Sequence, residues 1–160
     1  MRARVLRGAK RWGRVFRTTG SLYEGERVSQ RTYCMIKPDA VARGLVGRIV
    51  GRFEDVGLVV ERLELGMVTP QQAAANYGEH EGKPFYDGLV AYITSGPVVK
   101  MVLSGPEAVS VVRKLMGVTN PKDAAPGTIR GDFGLTLDAN IVHGSDSPES
   151  AEREIAIFFG

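Results

Sequence analysis

The most continuous apolar run of this 160-residue chain lies at residues 97–103, where Lys100 is the only charged side chain. A run of this kind predicts a central strand that is covered on both faces. Such a strand needs neighbouring strands and covering helices, and the chain is long enough for one domain with a full hydrophobic core. We therefore expect one packed, sheet-centred domain.

Three further segments have strand patterns, and helical patterns separate them. The strand-like segments are 32–36, 58–67 and 140–143. Helices are predicted from about residue 46, 70, 84, 106 and 148, several with proline at or near the first turn. This order predicts an α+β fold, a ferredoxin-like βαββαβ sandwich with a four-stranded antiparallel sheet. Residues 117–139 are too rich in proline and glycine for a long element and predict a functional loop.

The charge distribution divides the chain into two parts. Residues 1–20 contain seven Lys or Arg and no acid, whereas the remainder contains fourteen basic and eighteen acidic residues. We expect a basic extension over 1–30, either flexible or targeting-like, and a folded domain over 31–160. The body gives no electrostatic reason to expect nucleic acid as a partner. No apolar run approaches the roughly 18 residues of a membrane helix, and the single cysteine, Cys34, excludes an internal disulfide.

Several familiar site motifs are absent from the sequence. Residues 78–84 only imitate a P-loop, because three residues separate the glycines and proline replaces the Mg²⁺-binding Ser or Thr. The few Cys and His residues do not suffice for a structural zinc site. His143, Ser145 and Asp146 are too close in sequence for a hydrolase triad. His80, between two glutamates, is predicted to be a solvated loop residue.

What remains is a scattered set of groups that can bind phosphate, each at the end of an element or in the long loop. These are Lys37, Tyr77, Arg113, Thr119, Arg130, Asn140 and His143. Arginine grips phosphate oxygens with paired donors and lysine supplies a point charge. Taken singly, each residue also fits an ordinary surface or packing role.

His143 follows a short apolar segment and precedes a strong helix start at residues 147–149. A largely neutral imidazole is nucleophilic without a separate base, and a carboxylate such as Glu154 could fix its tautomer. The residues therefore permit a phosphohistidine mechanism. They permit equally a structural histidine satisfied by backbone groups at a strand end.

Four ordered blocks carry a resemblance to a known family. They are Ile36-Lys37-Pro38-Asp39, Ser95-Gly96-Pro97-Val98-Val99, Pro126-Gly127-Thr128-Ile129-Arg130-Gly131-Asp132-Phe133 and Asn140-Ile141-Val142-His143-Gly144-Ser145-Asp146-Ser147. Over residues 31–159 the chain resembles the nucleoside diphosphate kinases. The resemblance implies a ping-pong transfer of the γ-phosphate of a nucleoside triphosphate, typically ATP, to a nucleoside diphosphate through a phosphohistidine on His143.

The same resemblance implies roles for the other residues. Glu154 would hydrogen-bond the histidine, Lys37 and Asn140 would bind the ribose 3′-hydroxyl and nearby phosphate, and Phe85 would stack on the base with broad base tolerance. The phosphates would be held by Tyr77, Arg113, Thr119 and Arg130. Mg²⁺ would be held by the nucleotide phosphates without a direct protein ligand, with Asp146 contacting it through water.

The resemblance also implies a homohexamer, with a tetramer as the alternative. Apart from the resemblance, we expect a cytoplasmic location, with the mitochondrial matrix as the alternative if the basic extension is a transit peptide. The resemblance requires neither nucleic acid nor membrane, and the role of the extension stays open. Asn76 stands where many members have histidine, and Leu137 where valine is frequent; we expect little effect from either. A non-catalytic nucleotide-binding relative is the competing class. Strict alternation would place Asn140 and His143 on opposite faces, although both are assigned to one site.

Overall fold

The structure is a computed structural model that describes residues 29–160, so the predicted basic extension lies, up to residue 28, outside the described residues. The strands are β1 (Gln30–Ile36), β2 (Val59–Gly66), β3 (Val98–Gly105) and β4 (Val142–Gly144). The helices are α1 (Pro38–Ala42), α2 (Val46–Asp55), α3 (Pro70–Tyr77), α4 (Tyr86–Ile93), α5 (Ala108–Met116), α6 (Ile129–Phe133) and α7 (Pro148–Phe159).

The four strands form one antiparallel sheet in the order β2-β3-β1-β4. This is the strand order of a ferredoxin-like βαββαβ sandwich, so the predicted fold is confirmed. Strand β3 lies inside the sheet and is buried at every position, as the apolar run predicts. Its single charge is accommodated at the edge, where Lys100 Nζ lies 3.5 Å from Glu64 Oε2 on β2.

The sheet separates two hydrophobic cores, and alternate residues of β1 enter opposite ones. Cys34 and Ile36 face the core under α2 and α5, whereas Tyr33 and Met35 face the core under α3, α4 and α7. Cys34 is fully buried, and this burial raises the pKa of its thiol to about 12. The cysteine therefore belongs to the core.

Helix α2 shows how local sequence sets the boundaries of an element. Ile49 and Phe53 bury its apolar stripe, and Gly57 follows the helix with a positive φ of 86°. The N–H groups of Gly57 and Leu58 donate to the carbonyls of Glu54 and Phe53 at 2.9 and 3.1 Å. This is a Schellman ending, which uses glycine because an L side chain is strained at that φ.

Two predicted helix starts were early by two residues. Proline was placed in the first turn at Pro84 and Pro106, but α4 begins at Tyr86 and α5 at Ala108. In the second case Glu107 adopts a left-handed conformation, with φ 52°, and turns the chain into the helix. Periodicity locates a helix well, but it does not show how many residues the preceding turn consumes.

Strand β2 forms one edge of the sheet and carries exposed apolar side chains. Leu63 pairs with Met101 and Leu65 with Val99, so all four lie on the face of the α2/α5 core. Leu63 and Leu65 are nevertheless 45% and 66% exposed. In the described part of the chain, no helix buries these two side chains.

None of the helices that the structure describes is long and apolar enough to cross a bilayer.

The α2 packing yields a stability prediction. Phe53→Ala removes a fully buried ring and leaves a cavity, so the free energy of unfolding should fall by about 3–5 kcal/mol. Urea titration followed by circular dichroism measures this change. Glu54→Ala, at the adjacent exposed position, is the matched control and should change stability by less than about 0.5 kcal/mol. Equal losses in both variants would contradict the packing described.

Candidate active site

His143 occupies the middle of β4, at the sheet edge opposite β2. It pairs with Met35 of β1, so its ring lies on the face that α7 covers. There its Nε2 is 2.9 Å from Glu154 Oε1. The rings of Tyr33 and Tyr77 flank the imidazole, each with its centroid 6.0 Å away.

Glu154 is a buried carboxylate, only 4% exposed, on the inner stripe of α7. Its second oxygen, Oε2, accepts a hydrogen bond of 2.5 Å from the Ser145 hydroxyl. The main-chain N–H of Ser145 in turn donates to the carbonyl of Tyr33 at 3.1 Å, which ties this turn to β1. Because an ionised carboxylate only accepts hydrogen bonds, the proton between the two side chains lies on Nε2 of His143. Nδ1 therefore carries the free lone pair.

A strained turn brings Asn140 to the same site. Ile141 is fully buried with φ 73°, and the N–H of Val142 donates to the carbonyl of Asn140 at 2.8 Å. This i to i+2 bond makes a γ-turn, a conformation that costs a β-branched residue roughly 1–3 kcal/mol. The regular strand begins only after the turn, so simple alternation does not apply to Asn140. This resolves the conflict that the sequence posed.

Lys37, at the N-terminal cap of α1, is 7% exposed. Its ammonium donates to Asn140 Oδ1 at 2.6 Å, and Asn140 Nδ2 donates to the carbonyl of Thr119 at 3.2 Å. Burial, together with the nearby Arg130, lowers the pKa of Lys37 to about 8, while Asp39 acts in the opposite direction. The side-chain amide of Asn140 thus connects Lys37, at the end of β1, to Thr119 in the long loop.

Arg130, on α6, joins the long loop to the strand segment. Its guanidinium donates to the carbonyls of Gly117 and Val142, both at 2.8 Å, and of Asn140 at 3.2 Å. Burial, with Arg113 nearby, lowers the pKa of Arg130 to about 10. Three of its five N–H groups bind these carbonyls, so two remain for an anion.

Two adjoining clefts contain every residue that the sequence and the resemblance selected. The first, of about 280 Å³, is lined by Lys37, Tyr77, Arg113, Thr119, Arg130, Asn140, His143, Asp146 and Glu154, among others. The second, of about 650 Å³, is mainly apolar and includes Phe85 and Leu137. Lys37, Leu89, Thr119 and Asn140 line both, so the polar cleft continues into the apolar one.

Several further cleft residues were missed. Glu79, His80, Arg153 and Tyr92 also line the clefts. Asn76, which the sequence marked as a departure from the family, lies there as well. His80 was predicted to be solvated, but it is half-buried at the rim, with Nδ1 3.0 Å from Lys83 Nζ and its ring 5.4 Å from that of Phe85. The glutamates on either side of His80 predicted a solvated loop. The 3₁₀ turn Gly78–His80, which the structure shows there, has no sequence pattern that would have predicted it.

The geometry defines a class of protein. A histidine with one nitrogen fixed and the other free faces cationic groups suited to phosphate, beside an apolar cleft that can take a flat ring. These are the parts of a phosphotransferase that acts on nucleotides.

Comparison with known proteins agrees with this class. The family model described as nucleoside diphosphate kinase matches residues 30–160. The nucleoside diphosphate kinase of Moorella thermoacetica is 57% identical over 130 residues, which cover 81% of this chain and 94% of the relative. That of Thermus thermophilus is 58% identical, covering 81% and 95%. The chain belongs to the nucleoside diphosphate kinase family.

Solved structures agree as well. The enzyme of Halobacterium salinarum, in complex with CDP, superposes with a TM-score of 0.81 at 51% identity and covers 82% of this chain and 88% of that one. The apo enzyme of Encephalitozoon cuniculi gives a TM-score of 0.80 at 44% identity, covering 82% and 89%.

The close packing of Gly144, the residue after His143, yields the next prediction. A Cβ at Gly144 would lie 2.6 Å from Met116 Sδ and 3.3 Å from Val112 Cγ1. Gly144→Ala should therefore destabilise the protein by about 1–3 kcal/mol through overpacking, measured by urea titration. Gly51→Ala is the control, since its Cβ meets nothing within 4 Å in the interior of α2 and should stabilise by up to about 1 kcal/mol. A neutral Gly144→Ala would show that β4 is not held tightly against α5.

Proposed function

We propose that this protein transfers the γ-phosphate of a nucleoside triphosphate, typically ATP, to a nucleoside diphosphate by a ping-pong mechanism through His143. The observation that carries the assignment is the hydrogen bond of 2.9 Å that His143 Nε2 donates to Glu154 Oε1. In the first half-reaction Nδ1 attacks the γ-phosphorus, the bond to the bridging oxygen breaks and the diphosphate leaves. In the second, a terminal β-phosphate oxygen of the acceptor attacks the phosphorus and the P–N bond breaks, which restores the histidine.

The residues around the histidine divide the remaining work. Glu154 accepts a hydrogen bond from the Nε2–H group throughout, and the negative carboxylate stabilises the positive charge that the ring acquires when Nδ1 bonds phosphorus. Tyr77, Arg113, Thr119 and Arg130 bind the phosphates. Two free N–H groups of Arg130 suit this role, and Arg113 extends from the last turn of α5 into the same cleft.

The ribose and the base occupy the wider cleft. Lys37 and Asn140, already paired at 2.6 Å, bind the 3′-hydroxyl and adjacent phosphate. Phe85 is 53% exposed, so its ring is free to stack on the base. Stacking uses the π-face that every base offers, and this supports broad base tolerance.

The cofactor we assign is Mg²⁺, held mainly by the nucleotide phosphates. Mg²⁺ is commonly bound by one or two carboxylates together with substrate phosphates and water, rather than by a cage of protein ligands. Asp146, which lines the cleft, would reach the ion through water. Its pKa is lowered chiefly by the Ser150 hydroxyl and further by Arg113 and Arg153, so the carboxylate stays charged. Bound Mg²⁺ would neutralise charge on the β- and γ-phosphates.

We assign catalysis to a domain of residues 31–160 and treat residues 1–30 as a separate extension. The family match begins at residue 30, where β1 also begins. A cytoplasmic location is the one we propose, in keeping with bacterial relatives such as those from Moorella and Thermus. A mitochondrial matrix location depends on the basic extension, almost all of which lies outside the described residues.

The nucleophile assignment has a direct test. The chain contains two histidines, so incubation with γ-labelled ATP and no acceptor should leave acid-labile phosphate on the wild type and on His80→Ala, but none on His143→Ala. Autoradiography after gel electrophoresis at alkaline pH measures the label. Equal labelling of His143→Ala would reject the assignment.

We propose further that the protein assembles as a homohexamer, with a tetramer as the alternative. The supporting feature is the edge strand β2, whose exposed Leu63 and Leu65 extend a core face without cover in the described residues. A second copy of the chain would bury these side chains and pair the open strand edge.

This assembly predicts a change in molecular mass. Leu65→Glu should convert the oligomer into smaller species in sedimentation velocity, because a buried unpaired charge opposes the contact. Ala91→Glu, which adds the same charge on the exposed side of α4, should sediment like the wild type. A wild-type protein that is monomeric at micromolar concentration would contradict the assembly.

A further inference from the structure

A second pair of side chains lies behind Lys37 and has no part in the roles assigned above. Asp39 belongs to the first turn of α1, and Tyr92 belongs to α4. The Tyr92 hydroxyl donates a short hydrogen bond to Asp39 Oδ1. The other carboxylate oxygen, Oδ2, is buried and has no hydrogen-bond partner among the described residues. An oxygen left in this state marks a group that is held for its charge or for an absent partner.

Tyr92 also forms part of the wall of the nucleotide cleft. It lines the apolar cleft together with Lys37 and Asn140, and the Lys37 ammonium lies 5.8 Å from the centre of its ring. On its other side the same ammonium donates to Asn140 Oδ1. Lys37 thus lies between an aromatic ring anchored by Asp39 and the amide that faces the ribose.

Burial and two charged side chains set the pKa of Lys37. Arg130 opposes the ammonium from α6, and Asp39 favours it from α1, while burial disfavours it most. The pKa of Lys37 is about 8 as a result. Tyr92 does not compete for the proton, since burial and Asp39 raise the pKa of its hydroxyl far above neutrality. The other titratable groups of the two clefts are Tyr77, Glu79, His80, Arg113, Asp138, His143, Asp146, Arg153 and Glu154.

We propose that Asp39 and Tyr92 act as a positioning pair, which keeps Lys37 charged and directed at the nucleotide. The inference rests on the function proposed above, because it assumes that Lys37 binds the nucleotide. Neither residue touches the reacting atoms. Asp39 supplies the negative charge, and Tyr92 fixes the orientation of that carboxylate while supporting the ammonium with its ring.

The direction of the pH effect follows from the protonation state of Lys37 that binds the nucleotide. The charged ammonium attracts the anionic nucleotide, and raising the pH through the pKa of Lys37 removes that charge. The profile of kcat/KM for ATP, which reports groups of the free enzyme, should therefore fall at alkaline pH with a midpoint of about 8. Loss of a nearby opposite charge lowers a lysine pKa by about one unit or more.

Asp39→Asn is the first variant, because it removes the charge and keeps an oxygen that can accept from Tyr92. We expect the alkaline limb to move down by about one pH unit and the acid limb to stay in place. Asp87→Asn is the matched control: it makes the same charge change on the exposed first turn of α4 and should leave both limbs unmoved. An unmoved alkaline limb in Asp39→Asn would overturn the proposal.

Tyr92→Phe is the second variant, because it keeps the ring and the carboxylate and removes only their hydrogen bond. We expect KM for ATP to rise about fivefold, the equivalent of one lost hydrogen bond, with kcat changed less than twofold. An equal fall of kcat and kcat/KM would contradict a positioning role. Carbon-13 NMR of the Lys37 Cε resonance reads the lysine pKa directly in each folded variant, so the test survives a loss of activity.

Different results would reject the proposed function and the positioning pair. If the wild type shows no exchange between ATP and another diphosphate, the proposed function fails. If the wild type is active and the Lys37 pKa is the same with Asp39 and with Asn at position 39, only the positioning pair fails.

Discussion

The hydrogen bond between the buried carboxylate of Glu154 and Nε2 of His143 is the interaction on which the rest of this site depends. Glu154 is withdrawn from water on the inner face of α7, and such a charge is tolerated only when its oxygens are satisfied. His143 and Ser145 supply the two partners, at 2.9 and 2.5 Å. The carboxylate thereby fixes the proton on Nε2 and leaves Nδ1 free, the nitrogen that we propose as the nucleophile.

Backbone geometry brings the groups that we propose bind the nucleotide to the same cleft as the histidine. The γ-turn at Ile141 turns Asn140 toward Lys37, and Arg130 binds carbonyls on both sides of the turn. Strain at one buried residue is offset by these polar contacts and by full burial of the side chain. The next residue along the chain after His143, Gly144, fits closely against α5, where a Cβ would lie 2.6 Å from Met116 Sδ.

Much of the fold could be predicted from the sequence, because apolar periodicity records which faces are buried. The all-buried β3 was confirmed on that basis, and the start of α7 at Ser147 was confirmed from its capping residues. The cleft residues were assigned to one site through the family resemblance. Single polar residues at the ends of helices and strands form no periodic pattern from which a shared site could be predicted. The γ-turn, the rim position of His80 and the Asp39–Tyr92 pair could not be predicted, because they depend on tertiary contacts between distant segments.

The central claim is that phosphate enters on Nδ1 of His143 because Glu154 holds Nε2. Phosphorus–nitrogen coupling in the NMR spectrum of the phosphoenzyme, prepared with ring-labelled histidine and ATP, tests it most directly. The account predicts coupling of phosphorus to Nδ1 alone, with a proton retained on Nε2. Phosphorus bonded to Nε2, or to any residue other than His143, would contradict it.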